Sequence, residues 1–516
     1  TGGKIDISKL PVGDPTLSNK EIVGNESQER MGLVLKEKDI ALLKRIADRE
    51  RAPMYVIGEA TGDNRFTFTD PKTGKTPIDL ELDDMFGNPP KTIITDNSQV
   101  ISYADVTYDT SKLEEYLVQL LQLEAVACKD WLTNKVDRSV TGRVAKQQTA
   151  GAIQLPVNNV AVVAMDYKGK KGIATSLGHA PAAALINASA GSVLSIAESL
   201  TNIIWAPLEH GLKGISLSAN WMWPCKQPGE DARLYEAVTA ASNFAIELGI
   251  NIPTGKDSLS MTQKYPDGDI VLSPGTVIIS AIAQVSDIRK VVEPVINPSV
   301  DSSILYIDLS NVSFELGGSS FAQIMNKLGS YTPTIADTAY FIKAFETIQS
   351  FIKNEKIVAG HDISSGGMIT SLLEMCFTSV NAGLNIDLSV INEKDIIKIL
   401  FSENPGILVQ VTKENLAFVQ AELNKNKILF HEIGKPANNG KVKIKKDDTE
   451  FEFNVAELRD IWFKTSYLLD RRQSGEFKAI ERYNNYKAQP LKFNFPPSFT
   501  GKFADFGINP DRKTKS

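Results

Sequence analysis

Cysteine is scarce in this chain, and its spacing excludes more than its number does: Cys128, Cys225 and Cys376 lie far apart and never form a Cys-x-x-Cys pair. Such spacing leaves no disulfide framework and no four-ligand zinc site, and it suits a reducing, cytoplasmic location. Long apolar runs are also lacking. None approaches the roughly 18 residues needed to cross a bilayer, and the opening TGGKIDISKL has no apolar stretch of the secretory type. Because no initiator Met stands there, the start reads as a cut or processed end. Excess positive charge is absent as well: 56 Lys and Arg against 62 Asp and Glu leave a net charge of −6, so nothing electrostatic points to nucleic acid. Neither a membrane nor a nucleic-acid partner is expected. What is present is an ordinary globular composition, 42% hydrophobic and 23% charged over 516 residues. That length is too great for one core and implies roughly three or four domains.

The chain contains a worn internal repeat. Asn25 to Asp70, beginning NESQERMGLVLKEKDIALLKRI, has an echo at Ser402 to Asp447, beginning SENPGILVQVTKENLAFVQAEL, roughly 377 residues later. Both copies read as strand, amphipathic helix, strand, Asn/Gly-type turn, strand. A spacing of this size indicates duplication of a whole module, because a solenoid repeats every 20 to 50 residues or so. The first copy therefore opens inside an unfinished module.

Four parts follow along the chain. Residues 1–95 end in the hairpin RFTFTDPKTGKTPIDLEL. Residues 96–290 alternate the β-branched runs VAVVAMDY, GISLSANWM and TVIISAIAQV with the helical stretches AAALINASAGSVLSIAESLTNIIWA and EDARLYEAVTAASNFAIELG. That pattern predicts an α+β, α/β-like fold, with mixed sheets and helices packed on one side. Residues 300–468 hold the second copy of the module, and 469–516 read as a linker.

Gly74, Lys75 and Thr76 spell the end of a phosphate-binding P-loop, but Thr69 stands where the leading Gly belongs, and the segment lies in a hairpin. Glu198 and Asn202 are more informative. Four residues apart on one helix, they project from the same face, a spacing that lets a carboxylate and an amide oxygen meet one hard cation such as Mg²⁺. The same pair is also what a solvated helix edge presents. In VAGHDISSGGMITSLLEM an apolar strand ends at His361, Asp362, Ile363 and Ser364, and Gly366 and Gly367 open a helix. Free N–H groups there would hold phosphate oxygens, with Asp362 bridging through a metal; alternatively, Ser364 or Ser365 simply caps the helix.

Together, NESQERM, VDRSVTG, AESLTNI, LSANWMWPCKQPGEDARLYEAV, GKDSLSM and GHDISSGG resemble the motifs of the large formylglycinamide ribonucleotide amidotransferases, also called phosphoribosylformylglycinamidine synthases. The resemblance covers essentially the whole chain. It implies tandem A and B domains of the aminoimidazole ribonucleotide synthetase-like superfamily: 1–95 as the C-terminal part of a first B domain, 96–290 as a second A domain, 300–468 as a second B domain, and 469–516 leading toward a glutaminase domain. The implied activity is a carbon–nitrogen ligase of purine biosynthesis. ATP activates the formylglycinamide amide, and ammonia released from glutamine converts it to an amidine. The expected partners are small nucleotide substrates and the remaining domains of the same polypeptide, including a glutaminase. Other synthetases of the superfamily, such as aminoimidazole ribonucleotide or selenophosphate synthetase, fit less well because of the duplication and GKDSLSM.

Carried over one residue at a time, the resemblance implies an auxiliary ADP or ATP site with Mg²⁺. Its metal ligands would be Asn159, Glu198, Asn202 and Asp362, and its nucleotide contacts Lys129, Asn158 and Ser364. Asn159 stands where the family has an aspartate, which removes one negative charge. Gln28, Glu29 and Arg30 of the first copy, replaced by Pro405, Gly406 and Ile407 in the second, are the expected substrate contacts, since Arg forks suit a phosphorylated substrate. Catalytic residues are not identified. None of the cysteines sits as a glutaminase nucleophile would, and the isolated chain is expected to act as a non-catalytic nucleotide-binding scaffold.

Overall fold

The structure is a computed structural model and describes residues 1–25, 30–87, 89–99, 101–133, 142–488 and 494–509. The chain folds into two compact units, Thr1–Ile94 and Thr95–Ser516, with mixed sheets and packed helices as the α+β reading requires.

The first unit is built on a four-stranded sheet. Its strands β1 (Gly3–Asp6), β2 (Gly58–Ala60), β3 (Arg65–Asp70) and β4 (Lys75–Glu81) lie in the order β2-β1-β3-β4. β1 runs parallel to β3, and the other pairs are antiparallel. Helices α1 (Asn19–Gly24) and α2 (Glu37–Arg49) complete it. The β3–β4 turn is closed by the Gly74 N–H donating to the Asp70 carbonyl at 2.8 Å. The Asp70 carboxylate accepts from Lys72 N–H and Thr73 Oγ1. Gly74, Lys75 and Thr76 are thus hairpin residues. The expected strand over MGLVL is absent: residues 31–36 are irregular, with Met31 88% and Val34 86% exposed.

The second unit holds two larger sheets. The six-stranded one has the order β5-β6-β7-β12-β8-β9, from β5 (Val144–Lys146), β6 (Ala161–Ala164), β7 (Gly172–Gly178), β8 (Ser216–Met222), β9 (Asn251–Ser258) and β12 (Thr276–Val285). β10 (Thr262–Lys264) and β11 (Ile270–Leu272) form a separate ribbon. Helices α3 (Ala188–Ile203) and α4 (Glu230–Leu248) accompany this sheet. α3 crosses β7 so closely that a Cβ on Gly178 would stand 2.2 Å from the Ser195 carbonyl oxygen. Ser176 Oγ donates to the Ser199 carbonyl at 2.7 Å in the same contact. Only a glycine permits this approach, and it fixes the polar face of α3 against the end of β7.

The seven-stranded sheet has the order β14-β16-β13-β17-β15-β18-β19. Its strands are β13 (Ser302–Asp308), β14 (Ala359–Asp362), β15 (Gly383–Asp387), β16 (Gly406–Thr412), β17 (Phe430–Ala437), β18 (Lys441–Lys446) and β19 (Thr449–Asn454). Between them lie α5 (Ser320–Ile324), α6 (Thr338–Lys353), α7 (Gly367–Phe377), α8 (Ile396–Phe401) and α9 (Lys413–Lys425). One core joins the two sheets: Ile203, Trp205 and Ile279 pack with Leu305, Phe341, Ile348 and Val409. Gln349 of α6, fully buried, stitches across it. Its oxygen accepts the Leu208 N–H at 2.9 Å and its amide donates to the Ala206 and Ile204 carbonyls. A buried amide satisfied on both ends costs little and fixes register.

The linker expected to begin at 469 does not begin there. α10 (Val455–Ser474) runs through that position, and α11 (Glu476–Asn485) follows. Tyr486 is buried and stacks on Phe463 with ring centroids 4.0 Å apart. Aromatic burial holds this segment to the unit.

Candidate functional site

A cleft in the second unit is walled chiefly by five chain segments: His179–Ala183 after β7, Glu198 and Thr201 on α3, Gly317–Ser320 at the start of α5, Ile363–Ser365 after β14, and Glu403 and Pro405 before β16. Elements of both sheets therefore contribute to it. α7 begins beside it with two successive left-handed residues, Gly366 at φ 93° and Gly367 at φ 72°. A Cβ on Gly367 would stand 2.6 Å from the Leu400 carbonyl. The SSGG sequence is therefore needed for the turn itself.

Two N–H groups of that turn already have partners within the chain. Gly366 N–H donates to Glu403 Oε1 at 2.7 Å, and Gly367 N–H to the Ser364 carbonyl at 2.9 Å. Glu403 Oε1 also accepts the Ser320 N–H at 2.8 Å. Burial raises the Glu403 carboxyl above the ordinary range despite these bonds, and the nearby Glu198 charge adds to the rise. Glu198 Oε2 accepts the His179 N–H at 2.7 Å, and its carboxylate holds the His179 imidazole above its usual value.

Of the expected ligands, Glu198 and Ser364 line the cleft. Asn202, one turn beyond Glu198, donates its amide to the Leu177 carbonyl at 3.1 Å, which leaves its oxygen free to face elsewhere. Asp362 is buried at the end of β14; its Oδ1 lies 3.1 Å from His361 Nδ1, while Oδ2 has no hydrogen-bond partner. His361 Nε2 lies 3.0 Å from Glu374 Oε2. Burial works against a charged imidazole here, but the two carboxylates outweigh it and raise the His361 value.

Three further expected residues have partners within the chain. The Asn159 carbonyl oxygen accepts Trp205 Nε1–H at 2.7 Å, and its amide nitrogen donates to Asp362 Oδ1 at 3.2 Å. It therefore steadies Asp362, and its oxygen keeps a second lone pair. Asn158 donates to the Gln147 carbonyl at 2.6 Å. Lys129 Nζ is tied to the Ala125 and Ala127 carbonyls, with burial lowering its value. In the first unit, Gln28 and Glu29 lie outside the described residues, as does VDRSVTG up to Thr141. Arg30 is exposed and donates to the Pro11 carbonyl at 3.3 Å.

Among the described residues, no three His, Cys, Asp or Glu side chains are arranged to hold a metal ion. No Lys or Arg is among the described residues that line the cleft. Glu403, His179 and the Gly317–Ser320 segment were missed in the sequence. A signal for one of them existed, because Glu403 in SENPG aligns with Glu26 in NESQERM.

Two family models match the chain: the FGAR-AT PurM_N-like domain over residues 128–284, and the C-terminal domain of AIR synthase related proteins over 1–71 and again over 307–447. A probable chloroplastic/mitochondrial phosphoribosylformylglycinamidine synthase of Arabidopsis thaliana is 36% identical over 98% of this chain. The Homo sapiens phosphoribosylformylglycinamidine synthase is 35% identical over 96%. The chain belongs to the phosphoribosylformylglycinamidine synthase family. It spans 36% and 39% of the length of those two relatives. T. maritima PurL complexed with FGAR, at 10% identity, superposes with a TM-score of 0.50 over 67% of this chain and 53% of its own, and so shares the fold. Within this family frame, the cleft lies where the region matching the PurM_N-like model meets the second region matching the AIR synthase related model. Among the described residues no helix is long and apolar enough to cross a membrane.

Proposed function

We propose that this chain is the synthetase segment of an ATP-dependent ligase that converts formylglycinamide ribonucleotide to its amidine in purine biosynthesis, using ammonia that a glutaminase domain of the same polypeptide releases from glutamine. The observation that carries the reading is the cleft itself, in which Glu198 and Ser364, from the two family-matched regions, face one space. In this reading residues 1–95 are the end of a first B domain, 96–290 a second A domain and 300–468 a second B domain. The two matches to one C-terminal domain model support that order. A cytoplasmic location fits the three free thiols.

The chemistry explains why a nucleotide is needed. An amide carbon is a poor electrophile, and phosphorylating its oxygen from ATP creates a group that ammonia displaces. Stabilising charge on the transferring phosphoryl is the chief demand on the protein. The cleft is assigned an auxiliary ADP or ATP, with Ser364 as a nucleotide contact. Hard oxygen donors are available for Mg²⁺: the Glu198 carboxylate, the Asn202 oxygen and the orphaned Asp362 Oδ2. Because no three carboxylates converge among the described residues, phosphate and water would complete the shell, as Mg²⁺ prefers. When bound, the cation supplies positive charge between phosphate oxygens. Asn159 and Trp205 keep Asp362 in place, and Gln28, Glu29 and Arg30 are assigned to the ribonucleotide substrate.

The test uses this chain as it stands. Acid denaturation of the purified protein is expected to release stoichiometric ADP. Supplying formylglycinamide ribonucleotide, ATP and ammonium is expected to give no turnover, which is the scaffold behaviour. Protein free of nucleotide that also takes up none with Mg²⁺ would remove the site from this chain.

A further inference from the structure

The cleft poses an electrostatic problem for any polyphosphate. Its described lining offers no Lys or Arg, while two carboxylates, Glu198 and Glu403, face the same space. Two N–H groups that could meet an anion are already engaged, because Glu403 Oε1 takes that of Gly366, at the cap of α7, and that of Ser320, at the start of α5. A carboxylate so placed stands where a phosphate oxygen would otherwise stand. It also joins the two walls of the cleft, the turn before α7 and the segment before α5. Negative charge fixed at such a site repels a free phosphate chain with little screening, because a sunken pair is shielded less than a surface one.

We propose that Glu403 is the specificity-determining residue of this cleft: its carboxylate excludes free phosphate anions, so that a nucleotide is accepted only together with a divalent cation. This rests on the nucleotide reading above and adds a role for a residue outside the expected ligand set. Glu403 touches no expected ligand; it acts through its charge, and its two N–H bonds hold that charge in place.

Calorimetric titration of the nucleotide-stripped chain with ADP, in Mg²⁺ and in EDTA, tests this. Wild type is expected to bind ADP about 100-fold more weakly in EDTA. Glu403→Gln keeps an oxygen for both N–H groups and removes the charge; it should tighten metal-free ADP binding about tenfold and leave binding in Mg²⁺ nearly unchanged. Glu403→Asp, which keeps the charge, should retain the wild-type dependence on Mg²⁺. A dependence that is the same in Glu403→Gln as in wild type overturns the assignment. A second measurement needs no variant: in EDTA, wild type should bind uncharged adenosine at least as tightly as ADP, and tighter metal-free binding of ADP also overturns it. Failure of wild type to bind ADP even with Mg²⁺ would instead remove the nucleotide reading.

Discussion

The two copies of the duplicated module fold to the same plan and end in different states. In the first, the order β2-β1-β3-β4 has one parallel pair flanked by antiparallel pairs. In the second, β17-β15-β18-β19 repeats that arrangement pair for pair. Even the short 3-10 turn after the second strand in that order recurs, opened by Asp6 in one copy and Asp387 in the other, each accepting the N–H two residues on. The second sheet then continues through β13, β16 and β14. Among the described residues of the first unit nothing continues its sheet, and the stretch aligned with β16 is irregular and open. A central strand depends on the neighbours that satisfy its N–H and C=O groups, so the same apolar pattern is strand in one setting and coil in the other.

The largest test of this contrast places one charge in each copy. Val411, in β16 and 0% exposed, aligns with Val34, which is 86% exposed. Val411→Asp should cost about 4 kcal/mol or more, because an unpaired carboxylate is forced into the apolar core on the sheet face. Val34→Asp should lie within about 0.5 kcal/mol of wild type. Urea unfolding followed separately in each unit measures both. Equal losses would mean that residues 31–36 are packed after all.

A smaller contrast separates two left-handed glycines. Gly74, at φ 68°, has nothing within 4 Å of an added Cβ, whereas Gly367, at φ 72°, would press one against the Leu400 carbonyl. Gly74→Ala should cost about 1 kcal/mol from backbone strain alone. Gly367→Ala should cost about 2 to 3 kcal/mol, because the turn must also shift. It should lower the ADP released on denaturation as well, since Ser364 sits in that turn. If Gly367→Ala retains full nucleotide, the SSGG geometry is not what shapes the cleft.

What was legible in the sequence was local. The helix through EDARLYEAVTAASNFAIELG ends where Gly249 turns left-handed, and the helical stretch read through AESLTNI contains α3, which presents Glu198 to the cleft. Ser364 was singled out by the family resemblance, and it lines the cleft. What escaped depends on partners distant in the chain. The oxygen of Asn159 accepts a bond from Trp205, 46 residues away, a partner that no reading of LPVNNVAVV predicts. Lys129, expected near a nucleotide, satisfies carbonyls in its own turn, one of them that of Ala125, which lines the cleft. Glu403 carried a signal, the glutamate kept in both copies, but its role appears only once Gly366 and Ser320 are seen to converge on it.

The smallest expected effect compares how the two units cap their helices. In the first unit α1 carries its cap locally, Ser18 with Glu21 three residues on. In the second, α4 is capped from far away: the Asp96 carboxylate accepts the N–H groups of Gly229 at 3.0 Å and Asp231 at 3.1 Å. The Gly229 bond is the chief reason that the Asp96 carboxyl titrates below its usual range. A carboxyl lowered on folding stabilises the fold above its unfolded value, near pH 4, and that contribution disappears as pH falls through the lower folded value. Asp96→Asn should therefore lower the melting temperature of the second unit at pH 7, and the difference from wild type should shrink as the pH falls below about 4. Glu21→Gln should leave that unit's melting temperature unmoved at every pH. A gap between wild type and Asp96→Asn that persists undiminished in acid would mean that α4 draws on the shape of the aspartate and not on its charge.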